Sequence, residues 1–152
     1  LQKEGKSLQE VATWVLENRE KVCHWFTVDD LNFLKRGGRV SGTSAFVGTM
    51  LNIKPVMKVN AEGKLEPVDK VRGRKNSLNR LLDEMEKAAV EPANQKIFIA
   101  HADCPDDAQY VADEVKRRFG TTDVVTGYIG PVIGGHAGPN TPALFFMGAN
   151  RN

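Results

Sequence analysis

Cysteine is scarce in this chain. Two residues, Cys23 and Cys104, stand far apart among 152. They are too few to staple a fold, so two reduced thiols acting as small buried hydrophobes are expected, and with them a cytoplasmic setting. No apolar run approaches the roughly 18 residues of a membrane span. The opening Leu1-Gln2-Lys3-Glu4-Gly5 is polar, is no signal peptide and lacks an initiator Met, which predicts a piece of a longer protein. A net charge of +2 gives little electrostatic pull on nucleic acid, and the basic run Lys70-Val71-Arg72-Gly73-Arg74-Lys75 has none of the interleaved aromatics of single-strand binders. A four-ligand metal pattern is missing, His101-Ala102-Asp103-Cys104 being at most half of one. There is no Gly-x-Ser-x-Gly or phosphate-loop pattern, and Gly42-Thr43-Ser44 has no plausible local base, which argues against nucleophilic catalysis.

What is present is ordinary globular material. The chain is 41% hydrophobic and 26% charged, enough for one domain with its own core. Ser7 to Glu10 reads as a capping box, and Leu8, Val11, Ala12, Val15 and Leu16 share a face of the helix it opens, running to about Glu20. The β-forming run Val22 to Thr27 predicts a strand, with His24 a core or edge residue. Thr27 and Asp30 form a second capping pattern before a short helix that Gly37 and Gly38 stop. Phe46, Val47, Met50 and Leu51 line one side of a further helix, and the dense apolar stretch to Met57 reads as core on its own residues. Ile53–Val59 and Leu65–Val71 predict a hairpin about Asn60 to Gly63, followed by an amphipathic helix through Leu78, Leu81, Leu82 and Met85. Downstream, a strand at 97–100, a helix opened by Pro105 and closed by Gly120, and a strand at 123–129 make a βαβ unit. A glycine-rich loop over 130–140 leads to a last strand at 143–147. The expected fold class is α/β: a two-layer domain with a mixed sheet and helices packed mainly on one face.

Three features could carry chemistry. Glycines at 130, 134, 135 and 138 surround His136, whose imidazole can bind an anion or act as a base; a histidine satisfied in a tight turn is an equal reading. Gly37 and Gly38 precede Arg39, which can fork onto an oxyanion. Arg72, Arg74 and Lys75 make either a docking surface for an acidic partner or, more commonly, a solvated basic helix start.

Four segments in order resemble the DegV family over nearly the whole chain: Val28-Asp29-Asp30-Leu31-Asn32-Phe33-Leu34-Lys35-Arg36-Gly37-Gly38-Arg39-Val40-Ser41, Val47-Gly48-Thr49-Met50-Leu51-Asn52-Ile53-Lys54-Pro55, Val71-Arg72-Gly73-Arg74-Lys75, and Gly130-Pro131-Val132-Ile133-Gly134-Gly135-His136-Ala137-Gly138-Pro139. The resemblance implies the C-terminal lobe, over residues 1–152, of a two-lobed protein that buries a long-chain fatty acid of sixteen to eighteen carbons between its lobes. It implies an about six-stranded mixed sheet, and no cofactor. It also implies a separate fatty-acid kinase, dihydroxyacetone-kinase-like, as partner: the carrier presents the acyl carboxylate and is not itself the enzyme. Arg39 and His136 match the residues near the carboxylate, while Phe46, Val47, Met50, Leu51 and Ile53 would help line the acyl tunnel. Ala137 and Asn140 depart from the Thr and Gly usual at those places. About 14 methylenes at ~0.8 kcal/mol each would supply on the order of 11 kcal/mol gross, so the tail sets affinity and the head sets orientation. A half-tunnel is then expected to bind far more weakly than the whole. Other readings are a regulatory interaction domain and a small acyl- or phosphoryl-transfer enzyme using His136 and Arg39.

Overall fold

The computed structural model describes residues 1–29, 31–40 and 52–151. Its centre is a six-stranded mixed sheet in the order β3-β2-β1-β6-β4-β5, built from β1 (Val22–Thr27), β2 (Ile53–Val59), β3 (Leu65–Arg72), β4 (Ile97–Ala102), β5 (Val124–Tyr128) and β6 (Thr141–Met147). The hairpin β2–β3 extends β1 antiparallel, β6 inserts antiparallel between β1 and β4, and β4 pairs parallel with β5. That last pair requires a crossover, supplied by α4 (Pro105–Phe119).

Strand alternation sorts the side chains into two sets. Cys23, Trp25, Val56, Leu144 and Phe146 face α3 (Arg74–Ala88) and α4, where Leu81, Leu82, Met85, Val111 and Val115 are sealed from solvent. Each such side chain contributes about 1.5–3 kcal/mol on burial. Phe26, Met57 and Ala143 point the other way, where the short α2 (Asn32–Arg36) covers them through Leu34. The two long helices thus form the second layer, and among the described residues the opposite face is covered only at one end.

Several local expectations change in the folded chain. α1 (Leu8–Asn18) opens on the expected capping box, Ser7 Oγ accepting from the Glu10 amide and Glu10 accepting from the Ser7 amide. Most of its apolar stripe stays in solvent: Leu8, Val15 and Leu16 are exposed. Thr27 does not cap α2. It is the last residue of β1, and its hydroxyl donates to the Pro55 carbonyl at 2.7 Å. The helix expected over Phe46 to Leu51 lies outside the described residues. Cys23 and Cys104 are both buried thiols with no disulfide between them, as their composition suggested. No helix among the described residues is long and apolar enough to cross a membrane.

Candidate functional site

Two glycine-bracketed turns meet at the open face of the sheet. The first follows α2. Gly38 adopts φ 69, its amide donates to Lys35 and the Arg39 amide reaches back to Leu34 at 2.8 Å. This paired closure satisfies the last helical carbonyls and turns the chain sharply, projecting Arg39 from a fixed backbone. The second is α5 (Pro131–Ala137), a helix where the composition predicted a loop. Gly130 and Pro131 start it, the amides of Gly134 and Gly138 donate to Gly130 and Gly134, and the Thr141 hydroxyl donates to the Ala137 and Gly138 carbonyls at its end. His136 sits in its last turn.

Gly37 joins the two. A Cβ on Gly37 would collide with Nδ1 of His136, so the imidazole lies directly on its bare Cα. The Gly37 carbonyl accepts from Arg39 Nη1 at 2.7 Å. One small residue therefore holds the guanidinium and the imidazole beside each other, and at this position the absence of a side chain, not a positive φ, is what matters. At the other end of the contact Phe33 lies flat on Gly138, with the Arg36 guanidinium 4.5 Å over the same ring.

Arg39 and His136 flank one groove of about 590 Å³, a volume within the usual range of small-molecule sites. Its floor is the sheet face that the described residues leave open, with Phe26, Ala143, Phe145 and His24 along β1 and β6 and Leu65 from β3. Its rim carries Tyr128, Val132 and Ile133, which are 79%, 76% and 65% exposed. An apolar trough with Arg39 and His136 in its lining can hold an amphiphile whose anionic head meets those two side chains.

A polar brace lies behind the turn. Asp29 accepts from Lys54 Nζ and from Asn140 Nδ2, both at 2.7 Å, and Arg74 spans Asp107 and the Asn140 carbonyl. Asn140 has φ 56, which asparagine tolerates better than most residues, so it both holds the turn and supplies a side-chain bond. Burial pushes the Asp29 carboxyl up, but Lys54, Asn140 and the positive charge of Arg74 outweigh that and hold it below the usual carboxylate range. A depressed folded-state value stabilises the chain above the unfolded value of about 3.9 and ceases to do so as pH falls through the folded value. Thermal midpoints should therefore fall below about pH 4, and Asp29→Asn should flatten that limb in melts recorded from about pH 6 to 3. An unchanged acid limb in the variant would remove the brace from the account.

The other singled-out residues separate. Ile53 begins β2, half-buried, and is not part of the groove's described lining; Phe46, Val47, Met50 and Leu51 lie outside the described residues. Arg72 and Lys75 are exposed, whereas Arg74 is committed to the brace. His101 is buried and its Nδ1 accepts from the Cys104 amide, while burial pushes the Cys104 thiol up to about 11, unsuited to nucleophilic work. His24 was expected in the core or at an edge. It stands in an interior strand on the groove floor, a position that sequence alternation opposite Trp25 hints at but cannot distinguish from a covered face.

The family model described as "Uncharacterised protein, DegV family" matches residues 1–149. A DegV domain-containing protein of Clostridium perfringens is 49% identical over 148 residues, covering 97% of this chain and 51% of that protein. Among solved structures, a DegV family protein from Eubacterium eligens loaded with heptadecanoic acid superposes with a TM-score of 0.86 at 27% identity, over 96% of this chain and 52% of that one. The Streptococcus pneumoniae fatty acid kinase B3 protein loaded with linoleic acid gives 0.84 at 25% identity, over 95% and 50%. The chain thus spans about half the length of the relatives it matches. With a matched family model over nearly every residue and the same mixed sheet, this chain belongs to the DegV family.

Proposed function

We propose that this chain forms the C-terminal wall of a fatty-acid carrier. The acyl tail lies along the open face of the sheet, and its carboxylate meets Arg39 and His136. The single observation that carries the reading is the apolar groove that Arg39 and His136, both held against Gly37, line together. Fatty acids in solved relatives of the same fold support the ligand class. The exposed rim of Tyr128, Val132 and Ile133 is the kind of apolar edge that a second lobe would cover. Phe46, Val47, Met50, Leu51 and Ile53 belong to the tunnel wall in this proposal, on the family resemblance. The bound carboxylate is then presented to a separate fatty-acid kinase that brings its own nucleotide and metal. Arg72 at the end of β3 and Lys75 in the first turn of α3, where it lies 5.3 Å from the Tyr110 ring, are exposed and would dock an acidic partner surface.

Native mass spectrometry and calorimetry with palmitic acid, run on this chain and on the full-length C. perfringens relative, test the carrier. The expected result is one fatty acid per molecule on the relative and affinity at least about ten-fold weaker on this chain, since half a tunnel removes only part of the tail from water. Equal affinities would defeat the half-tunnel. A relative that stays lipid-free would defeat the carrier reading itself.

A further inference from the structure

The groove floor contains one side chain that an all-methylene tail does not satisfy. His24 pairs with Phe145 and Phe26 with Ala143 in the β1–β6 ladder, so His24 lies on the same face as Phe26, one repeat farther from α2 and α5. At about 3.3 Å per residue that is roughly 7 Å deeper along the strand. Its ring stands edge-on to Phe145, with centroids 5.3 Å apart at 68°. Beyond this ring contact, the described residues give the imidazole no side-chain hydrogen bond. Burial holds its protonation below the usual histidine value, with the nearby Arg151 charge acting in the same sense, so it faces the groove neutral. A neutral imidazole presents one N–H donor and one bare nitrogen acceptor.

Resting on the carrier reading above, we propose that His24 is a specificity-determining residue that selects acyl chains bearing a hydroxyl group at mid-chain. A hydroxyl both donates and accepts, so it can use either imidazole nitrogen. A saturated chain crossing the same point displaces water from the imidazole and returns nothing, which is how buried polar groups discriminate between ligands of equal length. The carboxylate fixed by Arg39 and His136 sets the register, so the preference is confined to hydroxyl positions at the depth of His24.

The test is competitive binding of stearic acid and a series of hydroxystearic acids, with the hydroxyl moved along the chain, to this chain and to its His24→Phe and His24→Gln variants. In the unmodified chain affinity is expected to peak at one mid-chain position. His24→Phe should lower the hydroxy-acid to stearic-acid affinity ratio at that position about ten-fold, the worth of ~1.4 kcal/mol. His24→Gln, which keeps a donor and an acceptor, should retain most of the preference, and it separates lost recognition from lost folding. A flat profile along the series, or a ratio that His24→Phe leaves unchanged while stearic acid still binds, overturns the assignment of His24 and leaves the carrier standing. Failure of every acid to bind this chain overturns the assignment of His24, and the carrier reading falls with it only if the full-length relative also stays lipid-free.

Discussion

Gly138→Ala is expected to lower the stability of the chain by about 3 kcal/mol, with a fall in thermal midpoint of about 10 °C. Two effects add at this residue. Its backbone has φ 83 and ψ 170, a region that essentially only glycine occupies, at a cost of about 1–3 kcal/mol for any other side chain. A Cβ there would also stand 2.5 Å from Cδ2 and 2.8 Å from Cγ of Phe33, so the ring or the whole of α2 must shift. The ring also carries the Arg36 guanidinium, 4.5 Å from its centroid. Gly120→Ala is the internal comparison: its φ is 72, but nothing lies within 4 Å of the added Cβ, so only strain of about 1 kcal/mol is expected. Melting curves of the two variants by circular dichroism decide the matter. Equal losses would mean that the contact between Phe33 and Gly138 does not hold α2 against α5.

That contact also shows which parts of the molecule are legible in one sequence. The hairpin, the long helices and the βαβ unit could be read because each is written in consecutive residues. Ile97 with Ile99, Ala108 with Val111, Ala112 and Val115, and then Gly120 carry strand period, helix period and stop in order. Arg39 and His136 could be singled out because glycines crowd around each. At α5 the glycines mislead, since two glycines inside a segment argue against a helix by propensity, yet Pro131–Ala137 is one. Pro131 at its start, the backbone bonds to Gly130 and Gly134, and packing of its end against Phe33 override that preference. The brace was invisible for a different reason. Asp29 bonds partners 25 and 111 residues away, and no local pattern encodes such pairs. His24 falls between the two cases: alternation gives its side of the sheet, but only the tertiary arrangement puts that side in the groove.

The largest functional effect is expected at Arg39 and His136. On the carrier reading, Arg39→Ala or His136→Ala should reduce acyl-phosphate formation by the partner kinase about a hundred-fold while weakening fatty-acid binding no more than about ten-fold. The asymmetry follows from where each kind of energy acts. Some 14 buried methylenes, at about 0.8 kcal/mol each, dominate the grip on the ground state, and neither substitution touches them. The polar end of the groove matters most when negative charge builds up as the carboxylate meets the incoming phosphoryl group, where fixed donors in a water-poor site act most strongly. The geometry supports a shared role, because the Gly37 carbonyl holds the Arg39 guanidinium while the His136 ring rests on the Gly37 Cα. Combining the two alanine substitutions should therefore cost much less than the product of the single effects, as for residues that act as a unit. Gly37→Ala, which has no unfavourable φ to contend with, should reproduce the turnover loss by displacing the imidazole without removing either side chain. Turnover assays with the full-length carrier and its kinase, set beside binding isotherms for the same variants, give the decision. Normal turnover in either single variant, or equal losses in turnover and binding, would leave the pair as ordinary surface cations at the mouth of a lipid groove.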